Sequence, residues 1–360
     1  MLIAAWTGST NLGDELLFEA LARKLTARGV AVTAVSTAPA ATRADHGVDA
    51  VGHLAPAELW HAVGAAGGMI LGGGSLVQDV TSPFNLPLHL SRTWLARARR
   101  VPFAGVGLGV GPLTSVGRTL AARSLRPAVA ISVRDAESAA LLEGIGLPRP
   151  VVAADLAFSL HPPAVEAEDR LVACLRPWAG SRRLLPVAMR RHAEETPGWF
   201  VAAAARALDA AAEATGLAVH LVAFQPDRDG PLHDAIAGRM SSTATTSTPD
   251  RRTVVEEVAR SRVVLAMRYH GAVAAALAGR PVVTVDYAPK VPSLAAELGA
   301  GAASLRWSHE GLAGLAGASL TVLGHDATVR EARDRLRARE AGNDRVIDEL
   351  VHEISINSRR

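Results

Sequence analysis

Short apolar runs along this chain alternate with longer segments in which apolar residues recur at helical spacing. Leu2–Ala5, Ala31–Val35, Met69–Leu71, Phe103–Val106 and Ala128–Val133 are too short for helices and read as strands, whereas Asp14–Arg28 carries Leu16, Leu17, Ala20, Leu21 and Leu25 along one helical face. Strand followed by helix, repeated, predicts a parallel α/β sheet. The Pro-rich, charged stretch Ser159–Arg170 interrupts the alternation and reads as a linker. The pattern then restarts with Leu171–Leu175, Val219–Ala223, Val263–Met267 and Pro281–Val285, and with helical segments at Trp199–Thr215 and Arg251–Arg260. Arg190–Pro197 and Ser241–Pro249 read as loops, and Asp326–His352 as one long terminal helix.

The expected architecture is therefore α/β, with two facing doubly wound Rossmann-like domains at residues 1–160 and 161–325, then a C-terminal helix and tail at 326–360. Such a pair leaves a cleft lined by the carboxyl ends of strands from both halves, a place where two substrates can meet. Composition narrows the function. Hydrophobic content of 49% with 20% charged residues is that of a soluble globular protein. No apolar stretch reaches the roughly 20 residues of a membrane span, and MLIAAWTGST lacks a basic leader, so export is not expected. The single cysteine, Cys174, excludes an internal disulfide framework and fits a reducing cytoplasm and a place in the core. The pI near 9.6 rests almost entirely on arginine, since Lys24 and Lys290 are the only lysines. Those arginines are dispersed and aromatics make up 4% of the chain, which argues against nucleic acid as a partner.

The candidate chemistry clusters where strands end. In VVLAMRYHG, Val263–Gly271, a buried-strand pattern runs into Arg268 and His270. Strand alternation would place both side chains on one side, pairing a permanent cation with a group that titrates near neutrality. CLRPW adds Arg176 and DYAPKV adds Lys290, so three cations fall at strand ends of one predicted sheet, where a small polyanion can be held by charge-assisted bonds. In the first half, WTGSTNLGDE supplies Asn11 and Asp14, read either as a helix cap or as ligands for hydroxyls. GGGSLVQD supplies Gly74 and Asp79, read either as a structural turn or as a site whose carboxylate takes a sugar hydroxyl proton. SVRD reads as an Arg-to-Asp brace between loops or as a substrate contact. GVGLGVGP spaces its glycines by two and does not meet the dinucleotide fingerprint, and neither a phosphate loop, a nucleophile elbow nor a metal-spaced His or Cys cluster is present.

Taken in order, GSTNLGDE, GGGSLVQDVTS, GVGLGVGP, SVRDAES, AADLAF, LRPW, FQPDRD, MRYHG and DYAPKV resemble the polysaccharide pyruvyl transferase family, especially its CsaB-like members, from about Thr7 to Leu298. The resemblance implies a fold similar to GT-B glycosyltransferases, phosphoenolpyruvate as co-substrate, a sugar diol as acceptor, a pyruvate ketal as product, and no cofactor. It implies a phosphoenolpyruvate pocket containing Arg176, Arg268 and His270, to which Lys290 is added here on its charge and position. His270 is the candidate general acid, with Arg268 beside it, and Asn11, Asp14, Gly74 and Asp79 make up the candidate acceptor side. The implied acceptor is a cell-wall or exopolysaccharide precursor, lipid-linked at the inner face of the cytoplasmic membrane, which would make the protein a cytoplasmic enzyme in peripheral contact with that surface. Four departures stand out. Ala5-Trp6-Thr7-Gly8 replaces a Gly-aromatic pattern, Tyr269 stands where leucine is usual, DYAPK replaces a more common Y-D-P-K, and PFNLPLHL follows Ser82 where basic and tyrosine residues are common. The alternatives are a GT-B-type nucleotide-sugar glycosyltransferase and a noncatalytic glycan-binding protein of the same fold.

Overall fold

The computed structural model describes residues 1–79, 84–177, 197–286 and 290–357. Seven parallel strands form the first sheet: β1 (Leu2–Thr7), β2 (Thr33–Ser36), β3 (Asp49–Gly52), β4 (Met69–Val77), β5 (Phe103–Val110), β6 (Ile131–Val133) and β7 (Val151–Val152). Their spatial order is β3-β2-β1-β4-β5-β6-β7. Six more form the second: β8 (Arg170–Cys174), β9 (Ala218–Val222), β10 (Ala244–Ser247), β11 (Val263–Ala266), β12 (Val282–Asp286) and β13 (Ala302–Arg306), in the order β10-β9-β8-β11-β12-β13. Both sheets are doubly wound. The central strands are covered on both faces, as the unbroken burial of β5 and β11 shows. In each sheet the winding direction reverses beside the first strand, between β1 and β4 and between β8 and β11, the position at which open α/β sheets place a ligand crevice at the carboxyl ends.

The glycine spacing of β5 has a structural cause. A Cβ at Gly109 would sit 2.8 Å from the Arg134 guanidinium, and Gly107 adopts φ +61° where a Cβ would strike Leu156. Four strands carry no apolar run that marks them: β3, the two-residue β7, β10 and β13. β10 lies inside the polar stretch expected to be a loop, with Thr245 and Thr246 exposed. Edge strands need little apolar surface, and period alone does not find them. The expected loop at Arg190–Pro197 falls outside the described residues up to residue 196.

The terminal helix is two helices rather than one. Asp326–Glu340 packs on the second domain, the chain turns at Ala341, and Gly342–Asn357 returns to lie against β5, β6 and β7. Gly342 permits the return, because a Cβ there would come 3.0 Å from Val151. The return is fastened by buried polar groups. Asn343, fully buried, donates from Nδ2 to the Ala154 carbonyl (3.1 Å) and accepts at Oδ1 from the Ser132 hydroxyl (2.7 Å), which itself accepts from the Gly107 N–H. Lys24 pairs with Glu340 and Asp344, and Arg28 with Asp344 and Asp348, along the outside of the same seam. Among the described residues no helix is long and apolar enough to cross a membrane.

Removing Asn343 strands a buried carbonyl and a buried hydroxyl, each worth about 1 to 3 kcal/mol when left unpaired. Asn343→Ala is therefore expected to lower the urea midpoint of unfolding by an amount equivalent to about 2 to 6 kcal/mol. An unchanged midpoint would show that the seam carries no stability.

Candidate active site

After β1 the chain turns through Gly8, at φ +74°, into the helix α1 (Leu12–Thr26). Asn11 caps that helix: its Oδ1 accepts from the Gly13 N–H (3.3 Å) while its Nδ2 donates to Asp14 Oδ2 (2.6 Å). Capping and orientation of Asp14 are thus one arrangement. Beneath it β4 passes with Gly73 and Gly74 at φ +77° and +88°, and a Cβ on Gly74 would lie 3.3 Å from Asp14 Oδ1. Glycine at 74 leaves the carboxylate its room. Asn11, Asp14 and Gly74 therefore form one corner of the cleft.

The second domain supplies the opposite wall. Arg268 is extended at the end of β11 and caps the helix Tyr269–Ala278, so His270 lies in a helical turn and strand alternation does not relate the two side chains. They face different partners. Arg268 forms a forked pair with the fully buried Asp229, donating from Nε to Oδ2 (3.1 Å) and from Nη2 to Oδ1, and Nη2 also reaches Gln225 Oε1 (3.3 Å). Gln225 in turn donates to Thr10 of the first domain (3.3 Å). His270 packs directly on Gly13, where any Cβ would overlap the imidazole. A backbone bond from the Leu12 N–H to the Phe224 carbonyl (2.8 Å) closes the same contact.

A third element comes from β6. Arg134, buried, donates to Ser75 Oγ (2.9 Å) and Asp155 Oδ2 (3.3 Å) and stacks 4.3 Å from the centre of the Tyr269 ring. Lys290 approaches that ring at 5.5 Å, so Tyr269 is met by two cations from different domains. The SVRD motif accordingly acts as a brace, directed to Asp155 of the AADLAF motif. Asp155 Oδ2 also lies 3.9 Å from His270 Nε2, beyond hydrogen-bond reach, and that buried nitrogen has no hydrogen-bond partner among the described residues.

Burial sets the protonation states. Desolvation pushes His270 down to about 4, against the pull of Asp155 and with Arg134, Lys290 and Arg268 adding to the fall. Desolvation raises Asp14 to about 7, and Glu15 adds to the rise, while Lys290, the Asn11 bond and Arg268 oppose it. At neutral pH the imidazole of the free protein is uncharged and the carboxyl of Asp14 is close to half-protonated. Burial at one interface thus inverts the order of proton affinity of the two groups, leaving the carboxyl the stronger base of the pair.

Two residues expected in the site have other bonds. Asp79 accepts from the Thr114 N–H with both oxygens (3.1 and 2.9 Å) and from the Thr114 hydroxyl, at the cap of the helix Ser115–Leu125. Its carboxylate thereby supports the structural-turn reading. Arg176, just beyond β8, donates from Nε to the Pro177 carbonyl (3.3 Å). Arg134, Asp155, Gln225 and Asp229 were not singled out as site residues from sequence, although each lies in a quoted motif. Their roles depend on contacts between segments distant in the chain. Trp178 and Tyr287–Pro289 lie outside the described residues.

Two facing doubly wound domains, with the candidate site residues at the carboxyl edges of both sheets, form a GT-B-like architecture. Similar solved structures include MnaA of S. aureus with UDP (TM-score 0.67, 11% identity, 99% of this chain and 96% of that one). Anabaena Alr3699/HepE in complex with UDP-glucose matches at TM-score 0.60 and 14% identity, covering 98% of each chain. UDP-GlcNAc 2-epimerase from Neisseria meningitidis bound to UDP-GlcNAc matches at 0.60 and 9%, covering 98% and 100%. At these identities the likeness is one of fold alone. The chain itself belongs to the polysaccharide pyruvyl transferase family, whose model matches residues 11–289. Among curated protein sequences none matches it.

The raised proton affinity of Asp14 has a consequence for stability. A carboxyl that titrates near 7 folded and 3.8 unfolded favours the folded state fully below about pH 4 and loses that contribution as pH rises through 7. Asp14→Asn lacks the loss. The stability of the variant relative to wild type should increase between about pH 4 and about pH 8, by at most about 4 kcal/mol. A difference that stays flat across that range would mean that Asp14 is solvated.

Proposed function

We propose that this protein transfers the pyruvate unit of phosphoenolpyruvate to a sugar diol, forming a pyruvate ketal and releasing phosphate. The observation that carries the reading is the meeting, across the domain interface, of Asp14 on one side with His270, Arg268 and Lys290 on the other. Family membership supports the class of reaction. The acceptor that fits this reading is a cell-wall or exopolysaccharide precursor, lipid-linked and reached at the inner face of the cytoplasmic membrane.

The chemistry requires a proton on the methylene carbon of the donor, attack of one hydroxyl at the adjacent cationic carbon, cleavage of the carbon–oxygen bond to phosphate, and closure by the second hydroxyl. Of the two hydroxyl protons released, one balances the proton added to carbon and the other leaves on phosphate. The donor brings a carboxylate and a phosphate, and Lys290 and Arg268 supply positive charge for them. The Nη1 group of Arg268 is without a protein acceptor among the described residues while Nε and Nη2 are anchored by Asp229. That anchoring fixes the guanidinium in one orientation, and lysine at 268 would not reproduce it.

The donor also supplies what His270 lacks. An imidazole held at about 4 by burial among cations gains proton affinity when a multiply charged anion enters beside it. Donor binding therefore charges His270, and the unpartnered Nε2 becomes the proton donor to the substrate. Asp14, near 7, serves as the base for an acceptor hydroxyl, a proton affinity matched to neutral pH. The dyad needs no further cofactor.

Phosphate release from phosphoenolpyruvate, measured with a panel of sugar diols, tests the reading. Release should depend on the acceptor, and in deuterated water the methyl group of the ketal should carry solvent deuterium. kcat/KM should rise as pH passes through about 7, a limb that Asp14→Asn removes, and His270→Gln should lower kcat by about 10² to 10⁴. Acceptor-independent release, or full turnover in His270→Gln, would overturn the assignment.

A further inference from the structure

At the opposite end of the second sheet, a pocket of about 650 Å³ opens between the interdomain connection at His161–Ala167, the residues that lead into β11 and β12, and the helix Asp326–Glu340. Its charge is unusual. Arg262 and Arg280 stand just before their strands, and Arg330, Arg333 and Arg337 line one face of the helix at spacings of three and four. Glu166 is the one acid in the lining. Arg268 and Lys290 lie beyond the other ends of the same strands, about 13 to 17 Å away along four or five residues of strand. The pocket is therefore separate from the transfer site.

The protein neutralises only part of this charge. Arg262 pairs with Asp169, Arg280 with Asp326, and Arg333 with Asp334. Arg330 and Arg337 have no ion-pair partner among the described residues, and the buried Nε of Arg337 has no hydrogen-bond acceptor among them. Among the described residues Arg337 reaches only the Leu160 carbonyl with Nη2 (3.1 Å), and burial together with Arg333 lowers its proton affinity against the pull of Asp334. Arg280 meanwhile donates to the Val165 carbonyl (3.1 Å), fixing the connection against the sheet. Guanidinium groups converging on a cavity, with one buried donor unmet, match the forked geometry of phosphate oxygens. The volume is that of a small-molecule site.

From this geometry we infer that the pocket is a second binding site, for a ligand bearing two or more linked phosphate groups, held by Arg330, Arg333 and Arg337 against the interdomain connection. The ligand would touch both the connection and the last helix before the chain returns to the first domain. Occupancy there stabilises the arrangement of the two domains without competing for the transfer cleft.

The probe is inorganic tripolyphosphate, titrated calorimetrically into the full chain at fixed ionic strength, because exposed charges are screened by salt. Wild type should bind saturably and melt at a higher temperature when loaded. Arg330→Gln/Arg337→Gln should weaken binding by roughly tenfold or more. Its melting temperature without ligand reports on folding, and Arg330→Gln alone, at an exposed residue, provides the milder variant and should weaken binding in the same direction. Lys290→Gln, at the other end of the sheet, should bind tripolyphosphate as wild type does. Flotation with vesicles containing a lipid that bears a diphosphate headgroup distinguishes the source of the phosphates. Flotation that the double variant loses and tripolyphosphate competes away identifies a headgroup, while binding of tripolyphosphate without flotation identifies a free anion. Failure of tripolyphosphate to bind wild type, equal affinity in the folded double variant, or loss of binding in Lys290→Gln would overturn the inference.

Discussion

The contact between the backbone of Gly13 and the imidazole of His270 sets the proton affinities at the domain interface. Only a residue without a side chain lets the first turn of α1 approach so closely, and the bond from the Leu12 N–H to the Phe224 carbonyl holds the two domains at that distance. Closure removes water from both Asp14 and His270. The same burial that raises the carboxyl to about 7 lowers the imidazole to about 4, so opposite shifts in proton affinity follow from one packing event. The rest of the interface sustains it. Arg134 on Tyr269 and Gln225 on Thr10 are two separate fastenings across the interface, while Asn343 ties the returning helix to the first domain.

Arg268 illustrates how charge is positioned rather than merely present. A buried guanidinium needs a partner, and the fully buried Asp229 provides a fork that leaves one end of the group directed by its anchor. Lys290 has a different character, a compact charge near the face of Tyr269. Together they place a planar and a compact cation at one interface. Tyr269 gives Arg134 and Lys290 an aromatic face that leucine would not offer.

Much of this was legible in the sequence. The central strands announce themselves as unbroken apolar runs because both of their faces are buried, and MRYHG marks a strand end by placing ionisable residues straight after such a run. β10 and β13 were not visible, since edge strands bury little, and the break at Ala341 was not, since Ala-Gly within a polar helix carries no strong stop signal. At the site, Asn11, Asp14, Gly74, Arg268, His270 and Lys290 were named from strand ends and motif order, and all are joined by contacts or by electrostatic coupling. The pairing of Arg268 with Asp229 and of Arg134 with Asp155 is a tertiary fact, set by residues 39 and 21 positions apart. The proton affinities likewise arise only from closure. A histidine read from sequence has its ordinary value until burial is known.

The central claim is that the cleft is built for phosphoenolpyruvate and not for a sugar nucleotide, despite a fold shared with proteins solved with UDP and UDP-glucose. Calorimetric titration of wild type and Lys290→Gln with phosphoenolpyruvate and, separately, with UDP-glucose tests it most directly. Saturable binding of phosphoenolpyruvate that weakens in the variant, with no binding of UDP-glucose, is the predicted result. Binding of UDP-glucose alone would contradict it and make the protein a nucleotide-sugar enzyme.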